Sequence, residues 1–373
     1  MKISMFGIKG FPVPGGAESV VEQIGSRLVA RGHDVTVYVR TNFIQPGLTE
    51  YKGMHLVHLP SAHTKNLDTI THGFLASLCV LMTRPDIVHI HSTGSSVFAL
   101  LPRLLGLKTV VQSHGLDWQR AKWGAFAKFY LHLTDYSTVH FPNATTAVSL
   151  KLVNYYQSLT KRPIYHIPNG VSTGEWNAPN LIRQYGLQGR DYILFASRFV
   201  PEKGIQHLID AFNSLDTDKK LVLAGDDNYG SLYAKQIKGQ ASERIICPGF
   251  VSGALLQEFL SNAYLYVLPS EIEGLSTGLL EAMGYGNCVL VSDIEENLEV
   301  IGSAGLSFQS RSTTDLATKL GLLLNDPVLV EHYRSQAQKA VSEKYDWEKV
   351  TDQFEALYHS LRQTARRNQD PSE

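Results

Sequence analysis

At 373 residues the chain exceeds one typical core and predicts about two domains. Its 43% hydrophobic and 18% charged residues exclude a disordered chain. The net charge of -1 hides an asymmetry, because residues 1–165 hold 16 Lys+Arg against 8 Asp+Glu, leaving 18 against 27 of the totals of 34 and 35 for the rest. A basic half points to an anionic partner or membrane surface for that half only, against an uneven surface charge with no role.

The opening MKISMFGIKG has no apolar core followed by a small-residue cleavage site, so it reads as a strand and not as a signal peptide. The strand KISMFG runs into the loop IKGFPVPGGAES, then into the helical pattern ESVVEQIGSRLVARG, which Gly32 closes as a C-cap. FLASLCVLM, residues 74–82, is the longest apolar run and about half of what spans a bilayer. HDVTVYVR, PDIVHIHS and LKTVVQSHG read as further strands separated by helical stretches. After YHIPNGVSTGEW the pattern restarts, with the hinge expected at Pro168-Asn169-Gly170. DYILFASRF, KKLVLAGDD, RIICPGFVS, AYLYVLPS and GNCVLVSD are the strands of this second half. From VLVEHYRSQ onward the chain reads as helical, ending in the polar tail RQTARRNQDPSE.

Short apolar strands alternating with helices predict parallel sheets. The fold class is therefore α/β, with two doubly wound, Rossmann-like domains: residues 1–167, residues 168–345, and a terminal segment 346–373. Two such domains facing each other would place a cleft between the loops at the C-terminal ends of their strands, where ligands of such sheets bind. Cys79, Cys247 and Cys288 show neither metal-ligand spacing nor a disulfide framework and fit a reducing cytosol.

Four strand-to-helix loops carry candidate chemistry. GFPVPGGAES sets Gly15 and Gly16 before a helix, where backbone amides approach a phosphate, or where a plain tight turn needs them. SRFVPEKG sets Arg198 and Lys203 across a loop from which both cations could reach one pyrophosphate, or simply face water. SHGLDWQRAKWG sets His114 at a strand end and interleaves Asp117, Arg120 and Lys122 with Trp118 and Trp123, a mix that suits sugar stacking or an anionic, lipid-bearing partner. The competing readings there are a hydrogen-bonded structural histidine and core-packed tryptophans, and His89 and His91 alternate nearby. The fourth loop, EGLSTGLLEAMGYG, holds Glu273 and Glu281, with Leu275, Ser276 and Thr277 at a helix start whose amides could take phosphate oxygens. Carboxylates in that setting either complement the helix dipole or accept hydrogen bonds from sugar or ribose hydroxyls.

With these residues in place, the chain resembles a retaining glycosyltransferase of family 4 with the two-domain GT-B fold, over essentially its whole length. The most specific element is the E-x7-E arrangement of Glu273 and Glu281. SRFVPEKG matches the family's Arg and Lys loop, IPNGV its hinge, and GGAE its N-terminal glycine loop, while HGLDWQRAKW is similar to members acting on cell-envelope polysaccharides. The resemblance implies that Arg198 and Lys203 stabilise the departing diphosphate and that Glu281 binds the ribose hydroxyls. It further implies that Glu273 holds sugar hydroxyls, that His114 contacts the sugar from the opposite domain, and that Gly15 and Gly16 offer amides to the phosphate. Phe250 and Val251 would border the base. Asp117, Trp118, Arg120 and Lys122 would belong to the acceptor side, and the C-terminal helix would brace the N-terminal domain.

The expected reaction moves a sugar from a nucleoside-diphosphate sugar to a saccharide or lipid-linked acceptor, in cell-envelope polysaccharide or glycoconjugate synthesis. No cofactor and no metal are expected, and Asp216 and Asp218, a D-x-D look-alike, precede a strand on its wrong side. No nucleic acid is expected as partner. A cytoplasmic location is expected, with peripheral contact to an anionic membrane through Trp118, Trp123, Phe126, Phe129 and Tyr130 of the basic half. Other classes fit part of the pattern: a nucleotide-sugar epimerase on the same fold, a non-catalytic homologue, and an NAD-dependent oxidoreductase, which lacks its G-x-G-x-x-G here.

Overall fold

In the computed structural model, strand-forming segments sort into two sheets, and the chain divides into two units: Met1–Asn169 with Trp347–Glu373, and Gly170–Asp346. The structure describes all residues except 14, 63, 65, 66, 117, 119–124, 228, 229 and 368–373, and excludes the side chains of 125–129, 131 and 364–367.

The first unit holds β1 (Lys2–Phe6), β2 (Asp34–Arg40), β3 (Glu50–Tyr51), β4 (Met54–Leu59), β5 (Ile87–Ile90), β6 (Lys108–Ser113), β7 (Ala144–Ala147) and β8 (Ile164–His166). Their order is β3-β4-β2-β1-β5-β6-β7-β8, parallel throughout except that β3 runs antiparallel to β4. Alternation along each strand feeds two cores. Ile3, Met5, Val35 and Val37 pack against the helix Gly16–Ala30 and against Trp347, Val350 and Phe354 of the C-terminal helix Trp347–Arg367. Phe6, Tyr38, Val88 and Val111 face the other way, onto Ala76 and Val80 of the helix Leu67–Thr83. Each such fully buried aliphatic side chain contributes about 1.5–3 kcal/mol.

The β3–β4 hairpin escaped the sequence reading because its turn is not one of the usual Asn-Gly or Asp-Gly pairs. Lys52 and Gly53 take the left-handed backbone that a two-residue hairpin loop demands, at φ 49° and 79°. The short strands β7 and β8 were also not anticipated. Their sequences, ATTA and IYH, are too brief for periodicity to register.

The second unit holds β9 (Tyr192–Ala196), β10 (Lys220–Ala224), β11 (Ile245–Gly249), β12 (Leu265–Leu268), β13 (Val289–Ser292) and β14 (Leu306–Phe308). All pair in parallel in the order β11-β10-β9-β12-β13-β14. Ile193, Phe195, Leu221, Leu223 and Val267 build the core of one face with the helices Ile205–Asn213 and Thr313–Asn325. The C-terminal helical stretch is broken into Pro327–Lys344 and Trp347–Arg367; Asp326 caps the first, its carboxylate accepting from the Leu329 amide at 2.9 Å.

Candidate functional site

The second unit brings its polar candidates to one edge of its sheet, at the C-terminal ends of β9 and β12, which are neighbours. Beyond β9 the Ser197 amide donates to Ala224 O at 3.1 Å and the Phe199 amide to Asp226 O at 2.9 Å, so the loop carrying Arg198 is tied to the end of β10. Arg198 itself is exposed. One short turn, Pro201–Lys203, then delivers Lys203 into the interior, and Gly204 follows in the left-handed conformation at φ 64°. A side chain at Gly204 would bring its Cβ within 2.2 Å of Pro269 O, so a glycine is needed where this turn crosses the strand end of β12.

Lys203 Nζ donates to Glu273 Oε1 at 2.5 Å, and both side chains are only 9% exposed. At such low exposure, removing either partner strands a charge, which costs about 3–5 kcal/mol. The neighbouring acid, Glu271, is engaged differently: it pairs with Arg311 at 2.8 Å and lies 3.7 Å from His207. The structure thus separates the two acids of SEIEG, one to a surface network and one to the buried lysine.

Glu281 sits one turn inside the helix Thr277–Gly284, whose N-cap Ser276 accepts from the Leu279 amide at 3.3 Å. The residue is half-buried, yet enough protein surrounds the carboxyl for burial to push its pKa up to about 7. No donor among the described residues reaches it. Leu275 and Ser276 are buried at the same helix start, with Thr277 half-buried beside them.

Tyr266, on β12, was not singled out in the sequence, where it reads as one more apolar strand residue. Its hydroxyl donates to Ala196 O, the end of β9, at 3.1 Å. Burial first, and then the charges of Glu273 and Glu281, raise its pKa. Tyr266 thus ties the ends of β9 and β12 together at the strand end that leads into the Glu273 loop. Gly278 completes the floor: a Cβ there would meet Tyr266 Oη at 3.1 Å and Ala196 O at 3.2 Å. Phe250 and Val251 follow β11 two strands away, and Phe250 is 56% exposed.

In the first unit His114 follows β6 and stacks on His91, with ring centroids 5.8 Å apart and planes within 24°. His91 in turn lies 3.8 Å from His89, whose Nδ1 meets Tyr358 Oη of the C-terminal helix at 2.7 Å. Burial, and secondarily the charge of His114, push His89 down to about 3; burial together with His89 and His114 holds His91 well below its ordinary value. These two imidazoles are neutral at physiological pH. The sequence showed His89 and His91 alternating, but their link to a tyrosine 269 residues away had no local signal.

Gly15 caps the helix Gly16–Ala30 in an extended conformation, but that helix already has an acid at its start. Glu18 Oε2 stands 2.0 Å from where a Gly15 Cβ would be, and Glu18 Oε1 accepts from the Lys9 amide at 3.1 Å. Trp118 packs among unit residues, its ring 4.6 Å from His132 and 6.4 Å from Tyr155. Trp118 is half-buried, so part of its ring remains open to solvent. Asp117, Arg120, Lys122 and Trp123 lie outside the described residues, as do the side chains of Phe126 and Phe129.

Comparison with known proteins adds to this geometry. Residues 177–340 match the family described as glycosyl transferases group 1, and residues 14–175 match glycosyltransferase family 4. The chain is 25% identical to N-acetyl-alpha-D-glucosaminyl L-malate synthase of Bacillus anthracis, over 97% of this chain and 98% of that one. It is likewise 25% identical to phosphatidyl-myo-inositol mannosyltransferase of Mycobacterium tuberculosis, over 97% of each. Among solved structures it shares the fold of Anabaena HepE in complex with UDP-glucose, with a TM-score of 0.80 at 19% identity over 96% of this chain and all of that one.

Proposed function

The chain belongs to the GT-B glycosyltransferases of group 1 and family 4, and from that membership we propose that it moves a sugar from a nucleoside-diphosphate sugar to a hydroxyl of a saccharide or lipid-linked acceptor. Retention of the anomeric configuration, independence from metal, a part in cell-envelope polysaccharide or glycolipid synthesis, and a cytoplasmic location belong to the same reading. The observation that carries it is the buried Lys203–Glu273 pair, with Glu281, which no donor among the described residues reaches, on the helix that follows the Glu273 loop.

A lysine ammonium has three donors, so Lys203 can keep Glu273 and still grip a diphosphate oxygen. With exposed Arg198 it would stabilise the charge that grows on the diphosphate as the sugar C1–O bond breaks. The acceptor hydroxyl oxygen forms the new bond to C1, and its proton passes to a departing phosphate oxygen. The second oxygen of Glu273 is available to sugar hydroxyls, and ribose hydroxyls supply the donors that Glu281 lacks. The amides around Leu275, Ser276 and Thr277 would add to the diphosphate grip, with Phe250 and Val251 along the base. His114 is assigned a contact with the transferred sugar. For the Gly15 and Gly16 amides to take a phosphate, the Glu18 carboxylate has to leave their helix end. Asp117, Trp118, Arg120 and Lys122 remain assigned to the acceptor.

The reading is tested by thermal melting with UDP, GDP, dTDP, ADP and NAD. A ligand that binds only the folded state raises the melting temperature by mass action. One nucleoside diphosphate should stabilise the protein, and Arg198→Ala should abolish the shift. Stabilisation by NAD alone, or by none of the five, would overturn it.

A further inference from the structure

The first unit's sheet is covered on its two sides by very different helices. On one side lie the charged helices Gly16–Ala30 and Trp347–Arg367, joined by ion pairs of Arg27 and Arg31 with Glu348. On the other side three segments lie side by side. The helix Leu67–Thr83 meets residues 93–105 through Ser77 Oγ, which donates to Phe98 O at 3.3 Å. Residues 93–105 meet the helix Ala125–His140 through Ser96 Oγ, which donates to Thr134 O at 3.1 Å. Among the described residues this layer exposes the apolar side chains of Phe74, Leu78 and Tyr136, and most of all Met82 at 85%, Leu104 at 72% and Leu105 at 54%.

These last three collect at one end. The helix Leu67–Thr83 stops just before β5 and the helix Leu100–Leu104 just before β6, and the first residues of those strands, Ile87 and Lys108, are paired partners. Cations gather at the same edge. Arg84 is exposed there, and Lys108 is half-buried. Arg103 donates to His140 O at 2.7 Å and Arg162 to Asn143 O at 2.6 Å, so both guanidinium charges rest on carbonyls instead of carboxylates. The two cations stand close together, since Arg162 also donates to His140 O, at 3.3 Å. Of the acids at this end of the sheet, Asp86, just ahead of β5, is already taken by Arg362 at 3.2 Å and by the Lys2 amide at 2.8 Å, and exposed Asp34 starts β2, two strands from β5.

We propose that this edge of the first unit docks onto an anionic lipid bilayer, with Met82, Leu104 and Leu105 entering the headgroup boundary and Arg84, Arg103, Lys108 and Arg162 meeting lipid phosphates. Apolar tips ringed by cations are the chemistry that a charged membrane surface recognises. A second copy of the chain fits less well, because a two-fold interface sets a surface against itself and would oppose the same four cations. Spanning is not involved: among the described residues no helix is long and apolar enough to cross a membrane. This surface differs from the tryptophan-bearing loop to which the sequence alone assigned membrane contact, and it does not depend on the proposed reaction.

The test is sedimentation of the full chain with vesicles of phosphatidylcholine alone and of phosphatidylcholine mixed with phosphatidylglycerol. The wild type should pellet with the mixed vesicles only. Met82→Ser with Leu104→Ser should weaken that partitioning at least about tenfold, as should Arg84→Glu with Lys108→Glu, while the thermal shift given by nucleotide stays as in the wild type. The apolar pair and the charge pair change exposed or edge residues separately, so loss of folding in one leaves the other to decide. Wild type that stays in solution, pellets equally with neutral vesicles, or loses nothing in a folded variant would overturn the proposal. So would a lipid-free dimer that Met82→Ser with Leu104→Ser dissociates, which would give the surface to a second copy.

Discussion

In the second unit every polar candidate lies within a loop of a strand end, and Lys203 and Glu273 meet although 70 residues separate them. In the first unit His114 stacks at one end of a file of imidazoles whose other end meets Tyr358 of the C-terminal helix. The first arrangement is built from two adjacent strand-loop-helix units, each with its own sequence signature. The second is assembled by packing between distant segments, and its parts carry no signature of their own. A donor-gripping edge of the first kind should fail abruptly when one member is lost. A stack of the second kind should degrade by degrees.

Lys203→Ala gives the largest effect and breaks the comparison most directly. Turnover should fall about a hundred- to a thousandfold, the loss expected for one preorganised group facing developing charge. Glu273 would be left buried without its partner, so melting should drop as well. Lys203→Ala with Glu273→Gln should recover the stability without the turnover. Steady-state kinetics beside thermal melting separate the two, and turnover near the wild-type value in Lys203→Ala would remove this lysine from the chemistry.

Glu281 sharpens the same side of the comparison through pH. Its folded pKa of about 7 lies above the ordinary 4.5, so the native state holds a proton that the unfolded chain has released between those values. Stability owed to this group is therefore present at low pH and is lost as pH rises from about 4.5 through about 7. Glu281→Gln, which mimics the protonated acid, should melt like the wild type near pH 5 and above it near pH 8. Nucleotide binding runs the other way: hydroxyl donors prefer the carboxylate, so wild-type affinity should rise with pH through about 7, and the glutamine variant should be flat. A wild-type affinity that falls with pH would contradict the ribose role.

In the first unit the matching change is Tyr358→Phe. It strands the buried Nδ1 of His89, which costs about 1–3 kcal/mol in urea unfolding. If the file of rings orients His114, the variant should also lose turnover by a modest factor while its affinity for the nucleoside diphosphate stays unchanged. Loss of stability alone would leave His89 and His91 as core residues.

The same contrast explains what the sequence disclosed. The longer strands, the two sheets and the loops holding Arg198, Lys203, Glu273 and Glu281 were legible, because period and spacing are local properties. Tyr266 was not, since a tyrosine inside LYVL looks like any buried aromatic until β9 is placed beside β12. Nor was the occupation of the Gly15 helix end by Glu18, because sequence shows which groups are near but not which way a flexible carboxylate turns. The β3–β4 hairpin was hidden by its Lys-Gly turn, and the two-sided covering of the first sheet by the distance between helices that end up adjacent.

The smallest effect concerns how the C-terminal helix is held in the first unit. Arg31 pairs with Glu348 and Asp352 at 2.7 Å and with Glu355 at 2.9 Å, while His33 Nε2 lies 2.7 Å from Glu355. The bond from Arg31 lowers the pKa of Glu348, and that from His33, then Arg31, lowers the pKa of Glu355. Carboxylates so depressed stabilise the fold above their ordinary range near 4.5, and the benefit drains away as pH falls through their folded values. The Glu348 side chain is 60% exposed, however, so water and salt screen the pair. Glu348→Gln should therefore cost only about 0.2–1 kcal/mol at neutral pH, and less in high salt. Trp347, Val350, Phe354 and Tyr358 are buried on the same helix, so packing should hold it in place when the ion pairs are gone. A loss of several kcal/mol in Glu348→Gln would show instead that charge, and not the apolar face, fastens this helix.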